Sequence, residues 1–160
     1  MQKVLLLYLV VVFLQKEEGW LESKIVVALK AIIIYNRKVL IIQRSYGDVS
    51  GSGSWEFAGG KLEFGEDLEE GLKREIMEEV GLMVKVERLL YASTFQSKEN
   101  RQTVILNYLC HSFSDRITLS EEHEKYIWAD KKTMKKYLTR GILHDLENNK
   151  IFDQLDIIEG

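Results

Sequence analysis

An α/β sandwich around a mixed β-sheet is the fold class this sequence predicts, and three observations predict it. Runs rich in Val, Ile and aromatic residues recur at strand length. One longer segment between them repeats apolar residues every four positions. Strand and helix patterns follow one another in mixed order. The 160 residues suit one domain with a single sizeable core. Apolar residues make up 46% and charged residues 29%, which excludes a disordered or fibrous chain.

The elements follow in order. Val4 to Leu14 is an unbroken apolar run after Lys3, about 11 residues and too short to cross a bilayer as a helix. No small-residue cleavage site follows it; Gln15-Lys16-Glu17-Glu18-Gly19-Trp20 does. Its β-branched content suits an extra strand or packing arm, with a non-native start or a membrane or dimer arm as alternatives. Residues 1–23 are therefore expected to form an extension and residues 24–160 the domain. Lys24 to Tyr35 and Lys38 to Arg44 read as strands joined by an Asn36-Arg37 turn. Ser45 to Ser54 is a Gly/Ser-rich loop. Asp67 to Val80 reads as a helix with Leu68, Leu72, Ile76 and Val80 on one buried stripe and Gly81 at its end. Val84 to Ser93, Thr103 to Phe113 and Tyr126 to Ala129 read as strands. Asp130 is placed to cap a helix through about Leu138, and a last helix is expected over Leu143 to Leu155.

The formal net charge of −3 lacks the basic footprint of a duplex nucleic-acid binder. A small nucleotide stays compatible with it, because bound metal ions supply local positive charge. Cys110 has no partner for an intramolecular disulfide and reads as a buried thiol. His111, His123 and His144 lack zinc-site spacing and read as surface or strand residues. A P-loop fails, because Trp55 stands where its first glycine would be and Leu62 follows Lys61. No G-x-S-x-G elbow is present.

The chemistry concentrates in Gly60-Lys61-Leu62-Glu63-Phe64-Gly65-Glu66 and Arg74-Glu75-Ile76-Met77-Glu78-Glu79-Val80-Gly81-Leu82. Glu75, Glu78 and Glu79 fall at i, i+3 and i+4, so their carboxylates leave one helix face. Arg74 starts about 100° around the helix from Glu75. Taken alone, the three glutamates read as an ordinary acidic face. A divalent cation would relieve their repulsion, and oxygen-only ligands suit Mg²⁺ or Mn²⁺. The Gly59-Gly60 pair lets backbone come close.

The whole pattern resembles the Nudix box, G-x5-E-x7-R-E-U-x-E-E-x-G-U. Gly60, Glu66, Arg74, Glu75, Ile76, Glu78, Glu79, Gly81 and Leu82 fill its fixed positions. From average residue usage, a chance match in such a chain is on the order of 10⁻⁸ to 10⁻⁷. Ser54-Trp55-Glu56-Phe57-Ala58-Gly59-Gly60-Lys61 is similar to the W-E-F-P-G-G-K segment of the MutT-type branch, with Ala58 in place of proline. The resemblance runs from about Lys24 to Trp128 and implies a Nudix-type α/β/α sandwich. It implies Mg²⁺, or Mn²⁺, held by Glu75, Glu78, Glu79 and the Gly59 carbonyl. It also implies Arg74 orienting the glutamates and Glu66 supporting the junction of loop and helix or a metal-bound water. A further carboxylate from a late loop matches Glu122 best, with Glu121 and Glu124 as competitors. Glu78 or Glu122 would act as general base.

The implied reaction is hydrolysis of a diphosphate linkage in a small nucleotide-type molecule, most simply a nucleoside triphosphate going to monophosphate plus pyrophosphate. Neither a proline at the spacing of the ADP-ribose branch nor an NADH-pyrophosphatase signature is present. An ADP-ribose or nucleoside diphosphate derivative is the alternative substrate, and a non-catalytic nucleotide-binding module the alternative class. Tyr46, Phe57, Phe95 and Tyr108 are candidates to stack a base, each also readable as core. Arg44 is a candidate for phosphate or base contact. Asp145 resembles in position a base-reading residue of MutT-type enzymes, and reads equally as a helix cap. A cytoplasmic monomer or homodimer without membrane partners is expected.

Overall fold

The computed structural model describes residues 23–47 and 51–155. The apolar extension expected at the N-terminus therefore lies outside the described residues, Ser23 excepted, as do loop positions 48–50.

Strands β1 (Lys24–Tyr35) and β2 (Lys38–Arg44) form a hairpin. Asn36 and Arg37 both take left-handed backbone, φ 46° and 62°, the two-residue turn whose twist matches paired strands. The strands pair only beside that turn, at Ile34↔Val39 and Tyr35↔Lys38. Beyond it they separate, and the chain from residue 55 to 62 fills the gap. Strand β3 (Trp55–Glu56) pairs with β2 through Ile42↔Glu56 and Gln43↔Trp55. The residues after it bond to β1: the Ala31 N–H donates to the Ala58 carbonyl at 2.9 Å, and Leu29 to Gly60 at 2.8 Å. Leu62 in turn donates to Val27 at 3.0 Å. The segment carrying Gly59-Gly60 is thus built into the middle of the sheet.

Helix α1 (Leu68–Val80) follows. The Asp67 carboxylate caps it, accepting from the Glu69 and Glu70 N–H groups, worth about 1 kcal/mol. Gly81 ends it at φ 67°, a conformation glycine adopts without steric cost. Leu72, Ile76 and Val80 are fully buried, whereas Leu68, first of the stripe, is partly exposed.

Strand β4 (Val84–Lys98) runs well past the expected end at Ser93, and β5 (Arg101–Ser112) starts slightly before the expected Thr103. Their tips, Thr94 to Lys98 and Arg101 to Thr103, are polar apart from Phe95 and carry no apolar alternation, yet backbone pairing continues to Lys98↔Arg101. Strand β6 (His123–Ala129) likewise begins three residues before the expected Tyr126. β5 pairs parallel to β1 and every other strand pairing is antiparallel, giving a mixed sheet in the order β3-β2-β1-β5-β4 with β6 on β2.

Helix α2 (Lys131–Tyr137) starts from Asp130, whose Oδ1 accepts the Thr133 N–H at 2.7 Å. The single last helix expected from the sequence is instead two, α3 (Arg140–Asn148) and α4 (Ile151–Gln154). Lys150 turns left-handed between them at φ 52°. Asp145 lies inside α3, whose N-cap is Thr139, so its reading as a helix cap is corrected.

The core has two halves. Leu29, Ala31, Ile33, Leu40 and Ile42 pack with Leu72, Ile76 and Val80 of α1. Ile32, Val39 and Ile41 pack with Met134, Leu138, Leu146 and Ile151 of the later helices. The alternation within β1 and β2 serves a helical layer on each face, the α/β/α sandwich. Cys110 sits fully buried, and burial pushes its thiol up to about 12, as suits an inert core residue.

Candidate functional site

Arg74 is the hub of the helix face. Its Nε and Nη2 donate to the two oxygens of Glu66 at 2.8 and 3.0 Å. Its Nη1 reaches Glu75 Oε1 at 2.9 Å and Glu78 Oε2 at 3.2 Å. The helix position that starts Arg74 away from Glu75 is overcome by side-chain length and by the i,i+4 relation to Glu78. The remaining donor contact goes to the Lys61 carbonyl, at 3.3 Å. Glu66 also accepts the Glu63 N–H at 3.0 Å. The Arg74 hydrogen bonds, then the Glu63 N–H, hold its carboxyl at about 2. Arg74 so ties the loop after Gly60 to α1.

The glycines make room for these carboxylates. A Cβ on Gly60 would fall 2.3 Å from Glu75 Oε2, and one on Gly71 2.6 Å from Glu66 Oε2. Gly59 has φ 124°, and a Cβ there would meet the Leu29 carbonyl oxygen at 2.2 Å. Only glycine fits between β1 and α1 at that point. Its N–H donates to Glu79 Oε2 at 2.7 Å, while the bonds to β1 use the carbonyls on either side of it.

Glu79 is the buried member of the triplet, whereas 59% of the Glu78 side chain is exposed. Burial raises the Glu79 pKa, and the Lys30 charge, the Gly59 N–H and His123 act against that rise. Lys30 belongs to a second cluster that the sequence did not suggest. Its Nζ donates to Glu56 Oε2 at 3.1 Å and to the Phe57 carbonyl at 3.0 Å. Arg44 Nη1 donates to Glu56 Oε1 at 2.9 Å. Burial alone would raise Glu56, but the Lys30 charge, the nearby His123 imidazole and hydrogen bonds from Arg44 and Lys30 hold it at about 2.

His123 opens β6, as its reading as a strand residue allows, and its side chain is fully buried, which removes the surface alternative. Its Nε2 lies 3.7 Å from Glu56 Oε1 and 4.0 Å from Glu79 Oε1. Period-two alternation along β6 does not lead there, because an irregularity intervenes. Lys125 pairs with Gln43 and His123 with the next residue, Arg44, so two steps on β6 match one on β2. The loop before β6 is fastened to α1: Thr118 and Ser120 N–H groups donate to the Val80 and Glu79 carbonyls at 3.0 and 2.9 Å.

The other sequence-derived residues fall as follows. Glu122 is exposed and 3.6 Å from Arg44 Nη2, at the rim of the Glu56 cluster. Its competitors Glu121 and Glu124 are exposed as well. Phe57 and Tyr108 are buried in the two core halves, while Tyr46 and Phe95 are exposed. Asp145 is half-buried and its charge raises the pKa of the buried Tyr91, after burial itself.

Among the described residues no three carboxylate, imidazole or thiol groups are gathered closely enough to hold a metal ion as they stand. Glu75 and Glu78 turn onto Arg74, and Glu79 onto Gly59. The donor chemistry fits a hard divalent cation. All three donors are carboxylates on one helix face, and the space at Gly60 admits the Glu75 carboxylate against the backbone.

The NUDIX domain family model matches residues 26–143. Nudix hydrolase 2 of Arabidopsis thaliana is 36% identical over 59 residues, 37% of this chain and 21% of that protein. Nucleoside triphosphatase NudI of Escherichia coli is 30% identical over 87 residues, 48% of this chain and 62% of that protein. The match therefore spans less than two thirds of either relative. The MutT protein of Methanosarcina mazei Go1 superposes with TM-score 0.71 at 24% identity, covering 83% of this chain and 96% of that one. The MutT NUDIX hydrolase of Burkholderia pseudomallei does so with TM-score 0.65 at 28% identity, covering 78% and 98%. Sequence, glycine placement and sheet topology converge on one answer, and the family match covers most of the chain: the chain belongs to the Nudix family.

Proposed function

We propose that this protein is a Mg²⁺-dependent hydrolase, with Mn²⁺ as a substitute, that cleaves a diphosphate linkage in a nucleotide-type substrate. A nucleoside triphosphate going to monophosphate plus pyrophosphate is the favoured reaction. The observation that carries this reading is the carboxylate face of α1 set against the Gly59-Gly60 segment, with Arg74 joining the two. The name of the NudI relative, a nucleoside triphosphatase, supports the substrate class.

Glu75, Glu78, Glu79 and the Gly59 carbonyl would hold the cation, with Glu122 as a further ligand. When bound, the ion supplies Lewis-acid charge for the phosphate oxygens. The protein's own part is positioning and proton transfer. Arg74 fixes Glu75 and Glu78 by charge-assisted hydrogen bonds. Glu66 anchors Arg74, and Gly60 and Gly81 give the loop and the helix end their shape. Glu78 or Glu122, both accessible to water, takes the proton as water adds to phosphorus and the P–O bond to the leaving pyrophosphate breaks. Arg44, Phe57 and Asp145 are the substrate-side candidates. Asp145 and Arg44 offer polar atoms, while the burial of Phe57 suits a supporting wall better than a stacking surface. A small-molecule nucleotide is the sole partner proposed, with no duplex nucleic acid or membrane, for a cytoplasmic monomer or homodimer. No helix among the described residues is long and apolar enough to cross a membrane.

The test is phosphate or pyrophosphate release from a nucleotide panel with Mg²⁺, for wild type, Glu78→Gln and Glu79→Gln. Hydrolysis by wild type and a loss of at least about 100-fold in the variants is expected. Equal, negligible turnover by all three removes the proposal.

A further inference from the structure

The proposed ligand set leaves His123 without a task. A fully buried imidazole is costly unless its polar atoms are used. Its Nδ1 is 3.2 Å from Ser120 Oγ, and with two carboxylates beside Nε2 the tautomer that fits has Nε2 protonated and the hydroxyl donating to Nδ1. That Nε2 has no hydrogen-bond partner. It faces Glu79 Oε1 and Glu56 Oε1 across 4.0 and 3.7 Å. The other oxygen of Glu79 is already held by the Gly59 N–H. The imidazole also sits on the loop tied to the end of α1 through the Ser120 N–H and the Glu79 carbonyl. One short segment therefore controls the Glu79 backbone and stands beside its carboxylate.

We propose that His123 is a positioning residue: its Nε2–H is the donor shared by Glu79 and Glu56, and it sets the orientation of the Glu79 carboxylate toward the cation. This deepens the hydrolase reading, on which it rests for the role of Glu79. It separates two buried carboxylates that otherwise repel, Glu56 opposing the charge on Glu79. A gap of about 4 Å is what a modest side-chain adjustment closes when the site is filled, since such hydrogen bonds tighten in the loaded state.

The test uses three substitutions. His123→Gln keeps an amide donor near the place of Nε2. His123→Asn keeps a polar group only near Nδ1. His123→Leu keeps volume alone. The first readout is Mn²⁺ affinity, by electron paramagnetic resonance or calorimetry. His123→Asn and His123→Leu should weaken binding about 10- to 100-fold, and His123→Gln should stay within about threefold of wild type, as for a residue that orients a ligand. With nucleotide and Mg²⁺, kcat should fall in the same order while KM stays nearly constant. Should His123→Leu fail to fold, the Gln and Asn pair carries the comparison. Wild-type Mn²⁺ affinity in His123→Asn overturns the proposal. Equal losses in Gln and Asn, tracking thermal stability, overturn it too, because packing alone then explains the residue. Wild type that binds Mn²⁺ but hydrolyses no nucleotide removes the enzyme reading and leaves the His123 comparison to be decided on Mn²⁺ affinity.

Discussion

Glu56 is the place to perturb the buried charges, and Glu56→Gln is the change. The Glu56 carboxyl is held at about 2 against an ordinary 4.5 by Lys30, His123 and Arg44, which together outweigh its burial. At about 1.4 kcal/mol for each tenfold change, the charged form gains about 3 kcal/mol on folding. The side chain is only 18% exposed, so screening removes little of this. The variant also leaves Lys30 and Arg44 facing an amide where both now share a carboxylate. A loss of roughly 2–3 kcal/mol is expected near neutral pH, or roughly 5–10 °C in Tm. The folded value lies below the unfolded one. The contribution is therefore complete above 4.5 and fades as pH falls toward 2. Urea unfolding of wild type and variant at about pH 7 and about pH 3 measures it, and roughly half of the difference should remain at the lower pH. A difference below about 0.5 kcal/mol near neutrality, or one that does not shrink in acid, refutes the reasoning.

Other perturbations follow from the same coordinates. Gly59→Ala drives a Cβ into the Leu29 carbonyl at 2.2 Å with φ 124° and should cost more than about 2 kcal/mol in denaturant unfolding. Gly60→Ala meets only the flexible end of Glu75. Stability should change by less than about 1 kcal/mol while Mn²⁺ affinity drops at least about tenfold, and intact affinity would show that Glu75 does not need that space. Arg74→Lys cannot reproduce the forked contact to Glu66 and should lose most of the nucleotide hydrolysis that Arg74→Ala loses; near-complete rescue by lysine would contradict this. Lys150→Gly relieves a left-handed residue at φ 52° and should raise stability by about 1 kcal/mol, read as a shifted urea midpoint.

The helix that carries the carboxylates was legible because its signals are local. Asp67, the four-residue repeat through Val80, and Gly81 each act within a turn or two. The β4–β5 tips were not, because pairing there rests on backbone bonds between mostly polar residues whose side chains carry no pattern. The break at Lys150 is hidden for a related reason: a lysine gives no warning of left-handed backbone. In the site, the motif named Arg74 and its glutamates but was silent on Lys30, Glu56 and His123. Lys30 and Glu56 meet across 26 positions of sequence, through the separation of β1 from β2. His123 is brought in by a single irregularity in strand register. Neither event leaves a trace in composition or periodicity. The one weak hint was Glu56 itself, a charged residue between Trp55 and Phe57, both of which turn out to be core.

The threading of residues 55–62 between β1 and β2 has a consequence for how the protein breathes. Leu29, Ala31 and Leu62 amides are bonded across this junction, so the segment beside the carboxylate helix cannot open as a loop does. It has to leave together with the central sheet. Hydrogen exchange at those three amides should report the global unfolding free energy rather than a local one. Local opening is then left mainly to the outer ends of β4 and β5, whose tips are exposed. Those margins can change shape while the centre of the sheet keeps the carboxylates in place.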